Sequence, residues 1–205
     1  MNVYIVNGSA QYSALFKSFG HKIVSNDFEA DFAVFTGGED VSPNFYGDIV
    51  HRYTSNSEIR DHYEAEVFNY FWKTNVPMVG ICRGAQFLNV MSGGRMYQHV
   101  ENHTRSHAIT DVITGETVYV SSTHHQMMMP SPDGVLVAYS SLHGSREWFD
   151  GQIAKRDVAD VDNEVVFYPN TKCLCFQPHP EFIMPEYEGM RMYFGQCLEK
   201  YLGVK

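Results

Sequence analysis

The sequence predicts an α/β fold: a three-layer sandwich with a mostly parallel central sheet that takes antiparallel additions in its C-terminal half. Three observations carry this expectation. Strand-like and helix-like segments alternate as far as residue 94, short strand-like runs without long helices dominate from there to residue 176, and the chain closes on one amphipathic helix.

Residues 3–6 are an apolar run ending in Asn7-Gly8-Ser9, after which Tyr12, Leu15, Phe16 and Phe19 recur at helical spacing. Residues 22–24 read as a second strand. Residues 32–36 read as a third that stops at Gly37-Gly38. Over 58–73, Ile59, Tyr63, Val67, Tyr70 and Phe71 are expected to line one helical face, and Asn75-Val76-Pro77 ends the helix. Residues 78–81 form a buried-type strand, and 86–91 a short helix stopped by Ser92-Gly93-Gly94. Later strand-like runs fall at 117–120, 135–139, 147–149, 164–168 and 173–176. Tyr187, Met190, Phe194, Cys197, Leu198 and Tyr201 keep the spacing of a closing helix. With 205 residues, no repeat and no linker, one domain over 1–205 is expected.

Composition narrows the class of function. Fifteen basic against 24 acidic residues give a net charge of −9, and the lack of any basic run argues against nucleic acid or an anionic membrane as partner. No window approaches the roughly 18 to 20 apolar residues that span a bilayer. Four cysteines are too few for a disulfide scaffold, and the first residues lack the pattern of a signal peptide. A cytoplasmic location with free thiols is therefore expected.

One thiol stands out. Gly80-Ile81-Cys82-Arg83-Gly84 follows an apolar strand and precedes a helix, the spacing of a nucleophile elbow with cysteine at its centre. Flanking glycines let the strand reverse sharply, so the central side chain projects above the sheet, and the helix N-terminus favours negative charge there. The pentapeptide alone equally fits a buried strand-end cysteine. Gln177-Pro178-His179-Pro180-Glu181 supplies a base with a carboxylate two residues on, although prolines of this kind also build ordinary turns. Gly38, at the end of another predicted parallel strand, and Arg83, which follows the nucleophile, could offer the two N–H donors that a tetrahedral oxyanion needs.

These residues resemble the class I glutamine amidotransferase superfamily, through Gly80-Ile81-Cys82-Arg83-Gly84-Ala85-Gln86 and, far downstream, His179-Pro180-Glu181. Within it the chain is most similar to the gamma-glutamyl-gamma-aminobutyrate hydrolase branch of cysteine peptidases. That closer match rests on Gly37-Gly38-Glu39-Asp40-Val41-Ser42-Pro43 with Tyr46, Arg60-Asp61 with Glu64, Asn89-Val90 with Gly93-Gly94 and Gln98, and Ser122-Thr123-His124-His125-Gln126. Pro178 departs from the bulky aromatic usual before the catalytic histidine. The chain is also shorter than typical hydrolases of the branch.

The resemblance implies a flavodoxin-like class I glutamine amidotransferase fold and a Cys82, His179 and Glu181 triad, with an oxyanion hole at Gly38 and Arg83. It further implies that Gln86 meets the glutamyl group and that Ser122, His124 and His125 line the pocket near the substrate's α-amino and carboxylate groups. The substrate would be a small γ-glutamyl compound, cleaved through a thioester without metal or organic cofactor. Alternatives are a glutaminase subunit that feeds ammonia to a separate synthetase or ligase, for which 205 residues leave no room here, and a binding protein that kept the fold without activity. A homo-oligomer is compatible with all three.

Other polar clusters read as structural. His103 and His107, the His124-His125 pair, and Cys173 with Cys175 lack a Cys-x-x-Cys or His-Glu-x-x-His frame, so no metal site is expected. Met127-Met128-Met129 reads as loop packing over the site's rim or an apolar contact surface. Arg60, Asp61 and Glu64 open a helix where acids suit the dipole, and the resemblance adds a positioning role for the Gly38 loop.

Overall fold

A computed structural model describes residues 1–142 and 144–205. Five strands form the parallel part of its main sheet: β1 (Asn2–Val6), β2 (Lys22–Val24), β3 (Phe32–Phe35), β4 (Met78–Ile81) and, from much later in the chain, the strand Cys173–Phe176. Between them run α1 (Ala10–Ser18), α2 (Glu58–Lys73) and α3 (Arg83–Met91). The pieces β5 (Arg95–Tyr97) and β6 (His99–Val100) follow, and then the edge hairpin β7 (His107–Asp111) and β8 (Thr117–Val120). The order continues with β9 (Met127–Met129), β10 (Val135–Ser140), the hairpin β11 (Gly144–Asp150) and β12 (Ile153–Ala159), then β13 (Asp162–Tyr168), β14 (the Cys173–Phe176 strand) and α4 (Glu188–Cys197).

The main sheet has nine strands in the order β2-β1-β3-β4-β14-β13-β10-β7-β8. Every pairing from β2 to β14 is parallel and every pairing from β14 to β8 is antiparallel. The expected α/β sandwich, parallel first and antiparallel later, is therefore the observed one. Alternation along the strands builds two cores. Phe32 and Val34 face α1 and α4 through Leu15, Phe16, Met190 and Phe194. Ala33 and Phe35 face α2 and α3 through Phe68, Phe71, Phe87 and Leu88. Cys173 and Cys175 are buried in the second core and Cys197 in the first.

Two expectations are corrected. Ile59 and Tyr63 do not face the core of α2: Ile59 is 88% exposed, and the helix turns Asp61, Glu64, Phe68 and Phe71 inward instead. The apolar periodicity misses this because the two acids are drawn inside by a buried arginine on α3. Met127-Met128-Met129 is not rim packing. It is β9, paired antiparallel with β5, and its first two side chains are fully buried. A further sheet, β12-β11-β6, is not legible as a unit in the sequence, because one of its two longer strands, β12, carries mostly exposed residues and so has no core-facing alternation.

Candidate active site

The strands β3, β4 and β14 are neighbours, and their register pairs Phe35 with Gly80 and Phe176 with Ile81. The segments that leave their C-terminal ends, Gly37-Gly38, Cys82 and Gln177-Pro178-His179, therefore emerge side by side. Carboxyl ends of parallel strands are where open α/β sheets bind ligands. A cavity of about 310 Å³ lies there, lined in part by Gly38, Asp40, Cys82, Arg83, Gln86 and His179.

Cys82 has φ 52° and ψ −113°, the values of the first central residue of a type II′ turn, where glycine is the natural occupant. The flanking glycines make this turn feasible. A Cβ on Gly80 would collide with the backbone of Gly84, and one on Gly84 with the carbonyl of Phe35. Gln86 N–H donates to the Cys82 carbonyl at 3.1 Å, so α3 begins directly after the thiol and its first N–H groups lack intrahelical acceptors. Such a helix start is suited to negative charge.

His179 is positioned from several sides. Its Nδ1 lies 2.7 Å from Glu181 Oε1, its ring stacks on Phe182 at 4.7 Å, and its N–H donates to Ser121 Oγ at 3.0 Å. Its Nε2 lies 2.9 Å from Thr123 Oγ1. Burial alone would lower the pKa of this imidazole, but Cys82, followed by Glu181, raises it to about 10. The protonated ring therefore stabilises the fold fully below about pH 6.5, and that contribution falls away as the pH rises through 10. Because Cys82 is the largest upward influence, Cys82→Ala is expected to move the His179 titration to lower pH. Imidazole NMR titration of both proteins checks this, and equal midpoints would contradict the coupling.

The two residues expected to supply oxyanion donors share one ionic support. Arg83 lines the cavity, while its guanidinium is buried against Asp61 and Glu64 of α2. Glu64 also accepts from Arg60 Nε at 2.8 Å, and Arg60 Nη2 donates to the Thr36 and Gly37 carbonyls at 3.1 Å each. Gly38 has φ 151°, and a Cβ there would meet the Arg60 guanidinium. Asp61 accepts from Ser42 N–H at 2.9 Å, fixing the far end of the same loop. Gly37 N–H in turn donates to the Tyr12 hydroxyl at 2.9 Å.

The remaining predicted residues divide. Gln86 lines the cavity, and its Nε2 donates to the Gln126 carbonyl at 3.1 Å and to Gln177 Oε1 at 3.2 Å. His124 and His125 also line it, and His125 Nε2 lies 3.2 Å from Asp40 Oδ1, a bond that raises the pKa of its ring. Ser122 is not among the lining residues, because its hydroxyl donates to the His103 carbonyl. Thr123 stands in the wall instead. Sequence reasoning placed Thr123 only within the pocket-lining segment, not at His179, and it missed Ser121 and Tyr12, for which no local spacing gives a signal.

Comparison with known proteins agrees with this architecture. The crystal structure of a glutamine amidotransferase from Thermotoga maritima superposes with a TM-score of 0.63, covering 98% of this chain and 84% of that one at 15% identity. The fold is that of the class I glutamine amidotransferase-like superfamily. Residues 29–147 match the peptidase C26 family model, and the chain belongs to that family. A glutamine amidotransferase-like protein of Lactococcus lactis subsp. cremoris, the YvdE homolog, is 32% identical over 126 residues, which is 51% of this chain and 67% of the relative. The carbamoyl phosphate synthase small chain of Buchnera aphidicola is 28% identical over 123 residues, 58% of this chain and 27% of that one. The chain spans 67%, 53% and 42% of the lengths of three glutamine amidotransferase-like relatives, about half on the whole. Among the described residues, no helix is long and apolar enough to cross a membrane.

Proposed function

We propose that this chain hydrolyses a γ-glutamyl amide bond through Cys82, His179 and Glu181, with residues 1–205 acting as a single domain. The observation that carries the reading is Cys82 on a strained strand-to-helix turn at the same cavity as His179, whose Nδ1 is held by Glu181. Free thiols throughout suit a reducing cytoplasm.

In this scheme the Cys82 thiolate attacks the γ-carbonyl carbon, and a C–S bond forms as the carbonyl electrons move onto oxygen. The N–H groups of Gly38 and Arg83 stabilise that oxyanion. The C–N bond then breaks, and the His179 imidazolium gives its proton to the departing amine or ammonia. Water adds to the thioester, His179 takes its proton, and loss of the thiolate releases glutamate and restores the ion pair. Glu181 keeps the imidazole oriented throughout. Asp40 with Glu39, and His125, give the cavity wall both signs of charge, which complements the zwitterionic α-amino acid end of a γ-glutamyl compound. Gln86 supports the glutamyl chain.

The match to a carbamoyl phosphate synthase small chain favours a second reading, a subunit that passes ammonia to a separate synthetase or ligase. Mass spectrometry of products from a panel of γ-glutamyl amides and free glutamine separates the two. Release of glutamate and a specific amine by the chain alone supports the hydrolase. Sluggish turnover of glutamine that rises on adding a synthetase supports the second reading. No turnover, together with no labelling of Cys82 by a glutamine-like electrophile, would leave only a binding protein.

A further inference from the structure

Behind the wall formed by residues 123–126 lies a second polar cluster that the proposed reaction does not use. It is assembled from four separate segments: His103 from the loop after β6, His107 from the start of β7, His124 from the loop after β8, and Asp162 and Glu164 from β13. His103 and Glu164 are 0% exposed and His124 is 4% exposed. One donor atom from each of these three lies within 4.8 Å of the other two.

The orientation of the rings defines what they offer. His103 Nδ1 lies 2.8 Å from the Glu101 carbonyl, His107 Nδ1 lies 3.0 Å from that of Arg105, and His124 Nδ1 lies 2.9 Å from that of Gln126. A carbonyl only accepts, so each Nδ1 carries the proton, and at His103 and His124, whose Nε2 atoms make no hydrogen bond, the neutral ring turns its Nε2 lone pair toward the cluster. Tethering of the remote ring nitrogen to a backbone carbonyl is the arrangement that orients metal-binding histidines. His103 Nε2, His124 Nε2 and Glu164 Oε2 are buried and make no hydrogen bond. Buried polar atoms are normally satisfied, and the two unpartnered Nε2 atoms both face the Glu164 carboxylate without a shared electrophile between them.

The spacing fits a particular one. Ligand atoms around a tetrahedral zinc ion, at bonds of about 2.0–2.1 Å, stand roughly 3.3–3.4 Å apart. His103 Nε2 and His124 Nε2 lie 3.4 and 3.7 Å from Glu164 Oε1. Asp162 Oδ2 lies 3.4 Å from His103 Nε2, within reach as a fourth donor. His107 Nε2–H donates to Glu164 Oε1 at 3.0 Å and holds the carboxylate from outside. Imidazole ligands favour zinc over magnesium or calcium, which prefer oxygen.

We propose that His103, His124 and Glu164, with Asp162 as fourth donor, bind a divalent zinc ion that braces the rear of the cavity wall. His124 also lines the cavity and Ser122 donates to the His103 carbonyl, so the ion would anchor the wall directly at His124 and, through His103, at Ser122 just before it. The site stands on different side chains from the proposed triad and does not depend on it.

The test uses the whole 205-residue chain carrying Cys82→Ala, which removes a competing thiolate–imidazole site. Chelator-stripped protein is titrated with Zn²⁺ against a chromophoric chelator, with Mg²⁺ as a parallel arm. The expected result is one zinc per chain, a raised Tm with zinc and none with magnesium, and at least tenfold weaker zinc binding after adding His103→Ala or Glu164→Gln. In the Cys82→Ala chain, Co²⁺ should give visible bands of a tetrahedral nitrogen and oxygen site without a thiolate charge-transfer band. Should the added variants fail to fold, the zinc stoichiometry of Cys82→Ala and the cobalt spectrum decide. Less than stoichiometric zinc in the Cys82→Ala protein, affinity untouched by His103→Ala and Glu164→Gln, or a thiolate-type cobalt spectrum overturns the proposal.

Discussion

Cys82→Ala is expected to lower γ-glutamyl amide hydrolysis by about ten-thousand-fold or more, the scale on which nucleophile removal disables acyl-transfer enzymes. Alanine offers no electron pair to the γ-carbonyl, so no thioester forms. The fold should survive, because Cys82 keeps only a small side chain in its buried surroundings and alanine meets the same backbone requirement at φ 52°. Amine release followed by mass spectrometry gives the activity, and circular dichroism gives the melting curve. Wild-type turnover in a folded Cys82→Ala protein would sink the triad, whereas loss of activity with loss of fold would say nothing about chemistry. The His179 titration provides the independent readout, since it follows Cys82 whether or not the substrate has been identified.

Arg83→Met should be the most damaging single change to stability. Arg83 is 1% exposed, and its guanidinium bonds Asp61 and Glu64, both 0% exposed. Removing the cation strands two carboxylates in the protein interior, and breaking a buried ion pair from one side costs about 3–5 kcal/mol. Urea unfolding monitored by tryptophan fluorescence measures it, and a loss below about 1 kcal/mol would show that the network is dispensable. Activity should fall alongside, because Glu64 also holds Arg60, which holds the carbonyls of Thr36 and Gly37. The loop before Gly38 and the start of α3 are thus tied to one carboxylate.

That network also shows where reading the sequence succeeds and where it stops. The parallel strands and the elbow were legible because each is a local pattern: a short apolar run, then glycines at fixed offsets from Cys82. His179 and Glu181 were legible for the same reason, being two residues apart. The inward face of α2 was not, since Asp61 and Glu64 are buried only because Arg83, 19 residues beyond Glu64, lies opposite them. The cluster at Glu164 was opaque for a stronger reason. Its three histidines and Glu164 come from four segments with no ligand spacing in common, and only the antiparallel pairing of β7, β10 and β13 brings them together. A frame-based search for metal sites has nothing to detect in such a set. Thr123 was placed in the pocket-lining segment, but its bond to His179 Nε2 was not legible, because His179 lies 56 residues further along the chain.

The backbone at Cys82 has a practical consequence for anyone redesigning this protein. A residue with a Cβ at φ 52° and ψ −113° is strained by about 1–3 kcal/mol, and glycine would relax it. Any procedure that ranks substitutions by folding free energy will therefore favour Cys82→Gly, and in accepting it will trade the thiol at the cavity for a tougher, silent scaffold. Robustness and reactivity compete here for one position, so thermostabilisation of this fold must begin by holding residue 82 fixed.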